Sequence, residues 1–417
     1  MGLGTVGQGV YKILQKNNLT LKAGASLQVA RILVKDPQKN RGIDLPAELL
    51  TSQAEDILAN PEIDLIVEVL GGLSPAREYV LQALQNGKSV VTANKDLIAE
   101  HGEELFAQAE ASHCDLFFEA SVGGGIPIIN SLKHSLLANK IESIMGIING
   151  TTNYMLSKMA AEGSDFAAVL AEAQAKGYAE ADPASDVEGL DAARKLAILA
   201  SIAFNSRVKF PDVYVEGITK ISARDMAYAQ EFNYTVKLLA IAKESEEGIE
   251  VRVHPCFIPQ NHPLAAVNGV NNAIYVQGDA VGETMFYGQG AGEVPTASAV
   301  VGDLIQAARN RLAGINTSFC SCYDHKPLKS IGQIESQYFI RLLAVDKPGV
   351  LASIAYVLGD KEVSLASVLQ KDREDGQAEI VMITHRVKEE NLQNALKMLE
   401  QLSTVAAIGN IIRVEES

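Results

Sequence analysis

The sequence predicts an α/β protein: a helix-covered parallel sheet first, an α+β block second, and a small mixed module last. Two observations carry this reading. Apolar strands alternate with helical stretches through the first third, the pattern of a sheet buried on both faces. Residues 336–417 then repeat a strand-helix-strand-strand-helix-strand order, the ferredoxin-like arrangement. A length of 417 residues fits two or three domains.

A glycine-rich loop, Gly2 to Gly9, leads into a helix over Val10 to Lys16. Strands are expected at 27–34, 63–70, 89–92 and 115–119, with helices at 75–86 and 102–112 between them. Near Ser121 the pattern changes. A turn at Gly123-Gly124-Gly125 precedes a strand over Ser143 to Ile148, and helices dominate from Asn153 to Asn205. Strands return at 236–242, 249–258 and 273–276, and a helix over Thr296 to Arg309 closes the block. The expected domains are 1–126, with 294–311 packing back on it, then 127–293, a linker at 312–335, and 336–417.

Bulk properties exclude several classes. A formal charge of −15 repels nucleic-acid phosphates and anionic lipid, and no basic run offsets it. Four cysteines make no disulfide framework. No apolar run is long enough to span a membrane, and no signal-peptide pattern opens the chain, so a cytosolic protein is expected. Cys320, Cys322 and His325 lie close together but lack a fourth ligand, a weak zinc pattern.

Gly2-Leu3-Gly4-Thr5-Val6-Gly7 fits G-x-G-x-x-G, which lets backbone amides approach a pyrophosphate at a helix N-terminus. The strand that ordinarily precedes such a loop in a Rossmann-type sheet is not in the sequence. A late start, a truncated chain and a sheet without its central strand are the three readings; the last puts nucleotide affinity in doubt. Lys35, Asp36 and Lys39 follow the second strand and lean to NADP over NAD.

Several segments together resemble the homoserine dehydrogenase family over essentially the whole chain. They are the glycine loop, Val91-Thr92-Ala93-Asn94-Lys95, Gly150-Thr151-Thr152-Asn153-Tyr154, Gly177-Tyr178-Ala179-Glu180-Ala181-Asp182-Pro183, Gly189 to Lys195, and Gly290-Ala291-Gly292. The resemblance implies interconversion of L-aspartate 4-semialdehyde and L-homoserine with a nicotinamide cofactor, in threonine, methionine and isoleucine biosynthesis. It implies that Gly2, Gly4, Thr5, Val6, Gly7, Lys35, Thr92, Lys95 and Gly290 bind the cofactor.

Asp191 and Lys195 stand four apart, on one face of a helix, among apolar neighbours. By resemblance both reach the substrate, and a lysine ammonium there can polarise the aldehyde and supply a proton. Lys95, at the carboxyl end of a strand, is the rival proton donor. Glu180 is expected to bind the substrate's amino group, and Gly150 and Thr151 to contact substrate. An ordinary alternative for Asn149 to Thr152 is a turn with a threonine cap. The turn Glu119 to Ile126 resembles a monovalent-cation site, with sodium held by Glu119 and the carbonyls of Val122, Gly124 and Ile126.

Val345-Asp346-Lys347-Pro348-Gly349-Val350-Leu351 resembles the first loop of an ACT domain, which implies an amino-acid effector, threonine, and a homo-oligomer, dimer or tetramer. A second reading, from a different class, is a catalytically impaired sensor with a damaged first sheet.

Overall fold

The computed structural model describes residues 1–372 and 376–415. The expected C-terminal region 336–417 therefore includes 373–375 and 416–417, which lie outside the described residues. The chain divides into two compact units.

The first unit comprises Met1–Ile144, Arg194–Val213 and Asn271–His325. Its parallel sheet runs Leu65–Glu68, Ser89–Thr92, Leu116–Phe117. A separate parallel pair, Ile32–Leu33 with Leu50–Thr51, stands apart from it. Between them Met1 and Gly2 behave as a stub of strand. The Met1 amine donates to Val67 O at 2.6 Å, Val69 N donates to Met1 O at 3.0 Å, and Gly2 N donates to Leu33 O at 3.0 Å. Beyond this stub is a cavity of about 460 Å³, lined by Leu27 to Ile32 on one wall and Ile63 to Val67 on the other. This slot explains one departure from the sequence reading. Only Ile32–Leu33 of the expected strand 27–34 is regular, because the remainder faces the slot.

The helix Thr5–Lys16 starts five residues before the periodicity predicts. Gly9 lets it approach the 21-residue helix Glu293–Ala313; a Cβ at Gly9 would stand 2.6 Å from Glu293 O. Val10, Ala297, Val300, Val301 and Leu304 join Val91 of the sheet in one buried cluster. An antiparallel hairpin, Asn271–Gly278 with Gly282–Gln289, also belongs to this unit.

The second unit comprises Met145–Ala193, Tyr214–Val270 and Lys326–Ser417. Its long antiparallel pair Tyr234–Ser245 and Gly248–Pro259 is almost wholly buried in the middle. The final strand Val405–Val414 pairs parallel to it, Arg413 opposite Cys256 and Val414 opposite Phe257. That strand in turn pairs with Glu335–Val345, followed by Gln377–Thr384 and Leu365–Asp372. The C-terminal module thus extends the sheet of the preceding block. Helices Val350–Asp360 and Glu389–Leu399 pack on it over a core that includes Tyr338, Ile340, Leu342, Ile354 and Leu396.

Charged groups reinforce this join. Glu379, fully buried, accepts from Arg224 Nε at 2.7 and 2.8 Å and from the Tyr228 hydroxyl at 2.5 Å. Asp225 accepts from Arg341 Nε at 3.0 Å and Asn410 Nδ2 at 2.9 Å. Buried pairs of this kind add little net stability, yet removing one partner strands the other, at about 3–5 kcal/mol.

Candidate active site

The glycine loop builds a cradle at the start of the Thr5–Lys16 helix. Gly2 has φ +95° and a Cβ there would meet Val69 O at 2.7 Å; a Cβ at Gly7 would meet Gly2 O at 2.4 Å. Both positions are confined to glycine by backbone. At Gly4 nothing lies within 4 Å of a Cβ, so the loop presents open backbone there. Gly4 is the N-cap and no side chain caps this helix, which leaves its first amides available to an anion such as a pyrophosphate. These features fit a dinucleotide. Lys35 is exposed just past Ile32–Leu33, as are Asp36 and Lys39 in the same loop, where Arg41 is half-buried.

At the carboxyl end of Ser89–Thr92 a buried network fixes the backbone. Thr92 Oγ1 donates to Glu68 Oε2 at 2.6 Å and accepts from Asn94 N at 3.0 Å, and Glu68 Oε1 accepts from Leu70 N at 2.7 Å. The Thr92 hydroxyl is therefore engaged inward. Asn94 caps the helix Lys95–Ala111 by accepting from Leu97 N, so Lys95 opens that helix at the strand's carboxyl end. The helix begins seven residues before the sequence reading placed it.

The glycine turn at 123–125 closes on the first unit's hairpin. Gly124 has φ +54° and a Cβ would stand 2.5 Å from Gly290 O; Gly290 itself would overlap the Asn272 side chain. Val122, Gly124 and Ile126 are buried, as is Glu119. The Glu119 carboxylate accepts from Ile129 N at 2.8 Å and Asn130 N at 2.6 Å, and Glu119 N donates to Asp303 Oδ2 at 2.9 Å. Burial raises both carboxyls above their usual range, Asp303 to about 8.

In the second unit the helix Gly150–Glu162 is capped by Asn149, not by a threonine. Asn149 Oδ1 accepts from Thr152 N at 2.9 Å. The same side chain donates through Nδ2 to Asp191 Oδ2 at 2.9 Å and Asp186 Oδ1 at 2.7 Å. One buried amide thus serves as helix cap and as spacer between two carboxylates. Gly150 is the first residue of that helix, and Thr151 donates its hydroxyl to Tyr178 O at 2.7 Å, which anchors the loop carrying Glu180. Glu180 is exposed, with its carbonyl held by Gln174 Nε2 at 3.0 Å. The helix Leu190–Ala203 carries Asp191, buried, and Lys195 one turn later, half-buried between Arg194 and fully buried Leu196.

The sequence alone does not single out Asn149 and Asp186, which the structure joins to Asp191. Nothing local signals them; their partners lie 42 and 37 residues away from Asn149.

Three family models match the chain. They are "Homoserine dehydrogenase, NAD binding domain" over residues 2–119, "Homoserine dehydrogenase" over 127–305, and "ACT domain" over 338–404. The homoserine dehydrogenase of Bacillus subtilis is 45% identical over 420 residues, spanning 100% of this chain and 97% of its own. The chain belongs to the homoserine dehydrogenase family. That of Pseudomonas aeruginosa is 46% identical, covering 100% of this chain and 98% of its own. The crystal structure of a homoserine dehydrogenase from Thiobacillus denitrificans superposes with a TM-score of 0.95 at 45% identity, covering 100% and 97% of the two chains. A hyperthermophilic archaeal homoserine dehydrogenase in complex with NADPH matches with a TM-score of 0.62 at 28% identity, covering 73% of this chain and 95% of that one. Membership makes the chain an NAD(P)-dependent oxidoreductase acting on a CH–OH group, with a Rossmann-like sheet, a catalytic region and a C-terminal ACT domain. Among the described residues no helix is long and apolar enough to cross a membrane.

Proposed function

We propose that the chain interconverts L-aspartate 4-semialdehyde and L-homoserine, within threonine, methionine and isoleucine biosynthesis in the cytosol, and prefers NADPH to NADH. The observation that carries the substrate is the Asp186–Asn149–Asp191 cluster beside the Gly150–Glu162 helix, two carboxylates, one buried and one half-buried, suited to an amino acid's ammonium group. Glu180 adds a third carboxylate in the anchored loop, and Gly150 and Thr151 supply backbone and hydroxyl contacts. A bound nicotinamide supplies the hydride that adds to the aldehyde carbon. Lys195 polarises the carbonyl oxygen and delivers the proton that the resulting alkoxide needs. Asp191, one turn before it, orients that lysine and the substrate.

The lean to NADPH rests on exposed Lys35 and Lys39 beyond the second strand, where a 2′-phosphate would sit, and on the archaeal relative bound to NADPH. Glu119 with the carbonyls of Val122, Gly124 and Ile126 holds sodium; burial disfavours negative charge on Glu119 and on neighbouring Asp303, a cost that a hard cation relieves. Threonine binds the ACT domain, where the loop Val345 to Leu351 lines a cavity of about 360 Å³ together with Gln370, Ala378 and Ile380. The protein acts as a homo-oligomer. NADPH and NADH oxidation with aspartate semialdehyde, with and without sodium and threonine, tests these assignments. Turnover only with a different aldehyde would overturn the substrate.

A further inference from the structure

Away from the residues assigned above, the first unit gathers two thiols and two cations. The chain at 315–323 has no regular helix or strand, and Tyr323 N donates to Ser321 O at 3.0 Å in a tight turn centred on Cys322. Cys320 and Cys322, two residues apart, line one small cavity. Arg207 Nη2 donates to Cys320 Sγ at 3.1 Å. Lys133 lines the same small cavity, its Nζ held by Phe319 O at 2.8 Å and by the faces of Phe106, Phe118 and Phe319. Cys320 is exposed, and Cys322 is half-buried, its thiol directed to Ser201 O.

Each contact favours one chemical state. The Arg207 guanidinium donates directly to the Cys320 sulfur and the Lys133 amine lines the same cavity, a basic setting of the kind that makes a cysteine a thiolate nucleophile. The effect on the two sulfurs is opposite. The neighbouring Cys322, with Arg207 and Lys133, draws Cys320 below the usual thiol range, whereas the neighbouring Cys320 and burial push Cys322 up.

We propose that Cys320 is a peroxide-reactive thiolate and that Cys322 is its resolving partner. The Cys320 thiolate attacks one oxygen of hydrogen peroxide and breaks the O–O bond, giving a sulfenic acid and hydroxide. The Cys322 sulfur then attacks the Cys320 sulfur, and the sulfenic oxygen leaves as water with the proton of the Cys322 thiol. Two sulfurs are oxidised to a Cys320–Cys322 disulfide while peroxide is reduced. Ser201 lies on the helix Leu190–Ala203, so Cys322 gives up its contact to that helix when the disulfide forms.

The test uses the full chain. Iodoacetamide labelling at pH 6.5, read by peptide mass spectrometry, is expected to modify Cys320 about a hundredfold faster than Cys114 or Cys256, with Arg207→Gln slowing it. Equimolar peroxide is expected to remove two hydrogens from the peptide holding Cys320 and Cys322. In Cys322→Ser, dimedone is expected to trap a sulfenic acid at Cys320. Labelling of Cys320 at the rate of the buried cysteines, or absence of both the disulfide and the trapped sulfenic acid, would overturn the proposal.

Discussion

Lys237 offers a pH-resolved test of how the substrate region of the second unit is held together. It is 1% exposed, in the strand Tyr234–Ser245. Its ammonium donates to Asn153 Oδ1 at 3.2 Å, Val267 O at 2.5 Å and Asn268 Oδ1 at 3.1 Å, all neutral acceptors. It thereby ties the loop 267–268 to the helix whose first turn carries Gly150 and Thr151. Burial pushes the lysine down from 10.5 to about 8. Below pH 8 the folded and unfolded chains both carry the charge, and the folded state bears the full desolvation penalty. Between pH 8 and 10.5 the folded lysine is neutral while the unfolded one still binds its proton, so stability from this group rises with pH. That difference corresponds to about 3 kcal/mol. Lys237→Met removes the titration but leaves three acceptors without this donor, each at about 1–3 kcal/mol. The variant is therefore expected to be less stable than the parent at every pH. The gap should widen by about 2–3 kcal/mol from pH 7.5 to pH 10, because only the parent is relieved. Urea unfolding of both proteins at the two pH values, followed by tyrosine fluorescence, measures it. A gap that stays constant refutes the reasoning.

Asn149→Ala removes a helix cap and a donor shared by Asp186 and Asp191; loss of about 1–2 kcal/mol of stability and a raised KM for the amino-acid substrate are expected, by thermal melting and steady-state rates. Gly124→Ala forces a Cβ against Gly290 O at a positive φ, so a destabilisation above about 2 kcal/mol and a weakened sodium dependence are expected. An apolar six-residue strand fused ahead of Met1 should enter the slot between residues 27–32 and 63–67, raise Tm and tighten NADPH binding measured by fluorescence; an unchanged Tm would show that the slot does not accept a strand.

Much of the fold is legible in the sequence because its signals are local. Partial alternation in Glu335–Val345, and the largely apolar runs of Gln377–Thr384 and Ser89–Thr92, mark strands whatever their partners. The strand Gly282–Gln289 was not foreseen. Its burial alternates between half-buried and exposed, and its sequence begins with Gly282 and carries Gly288, so hydrophobic contrast is weak. Leu27 to Arg31 has the composition of a strand, but a strand needs neighbours, and here it faces the slot. The site shows the same division. Motif residues such as Gly2, Gly7 and Lys195 are visible locally, whereas Asn149 bridging Asp186 and Asp191, or Arg207 reaching Cys320 from 113 residues away, exists only in the folded chain. Asn149 as cap was masked by two following threonines, each a good capper in its own right.

The central claim is that Lys195 supplies the proton during reduction of aspartate semialdehyde. The direct measurement is turnover of Lys195→Ala with NADPH and aspartate semialdehyde, alongside its NADPH affinity. The account predicts a fall in kcat of about 10²–10⁴-fold with NADPH affinity unchanged. Turnover close to that of the parent, together with a collapse in Lys95→Ala, would contradict it and transfer the role to Lys95.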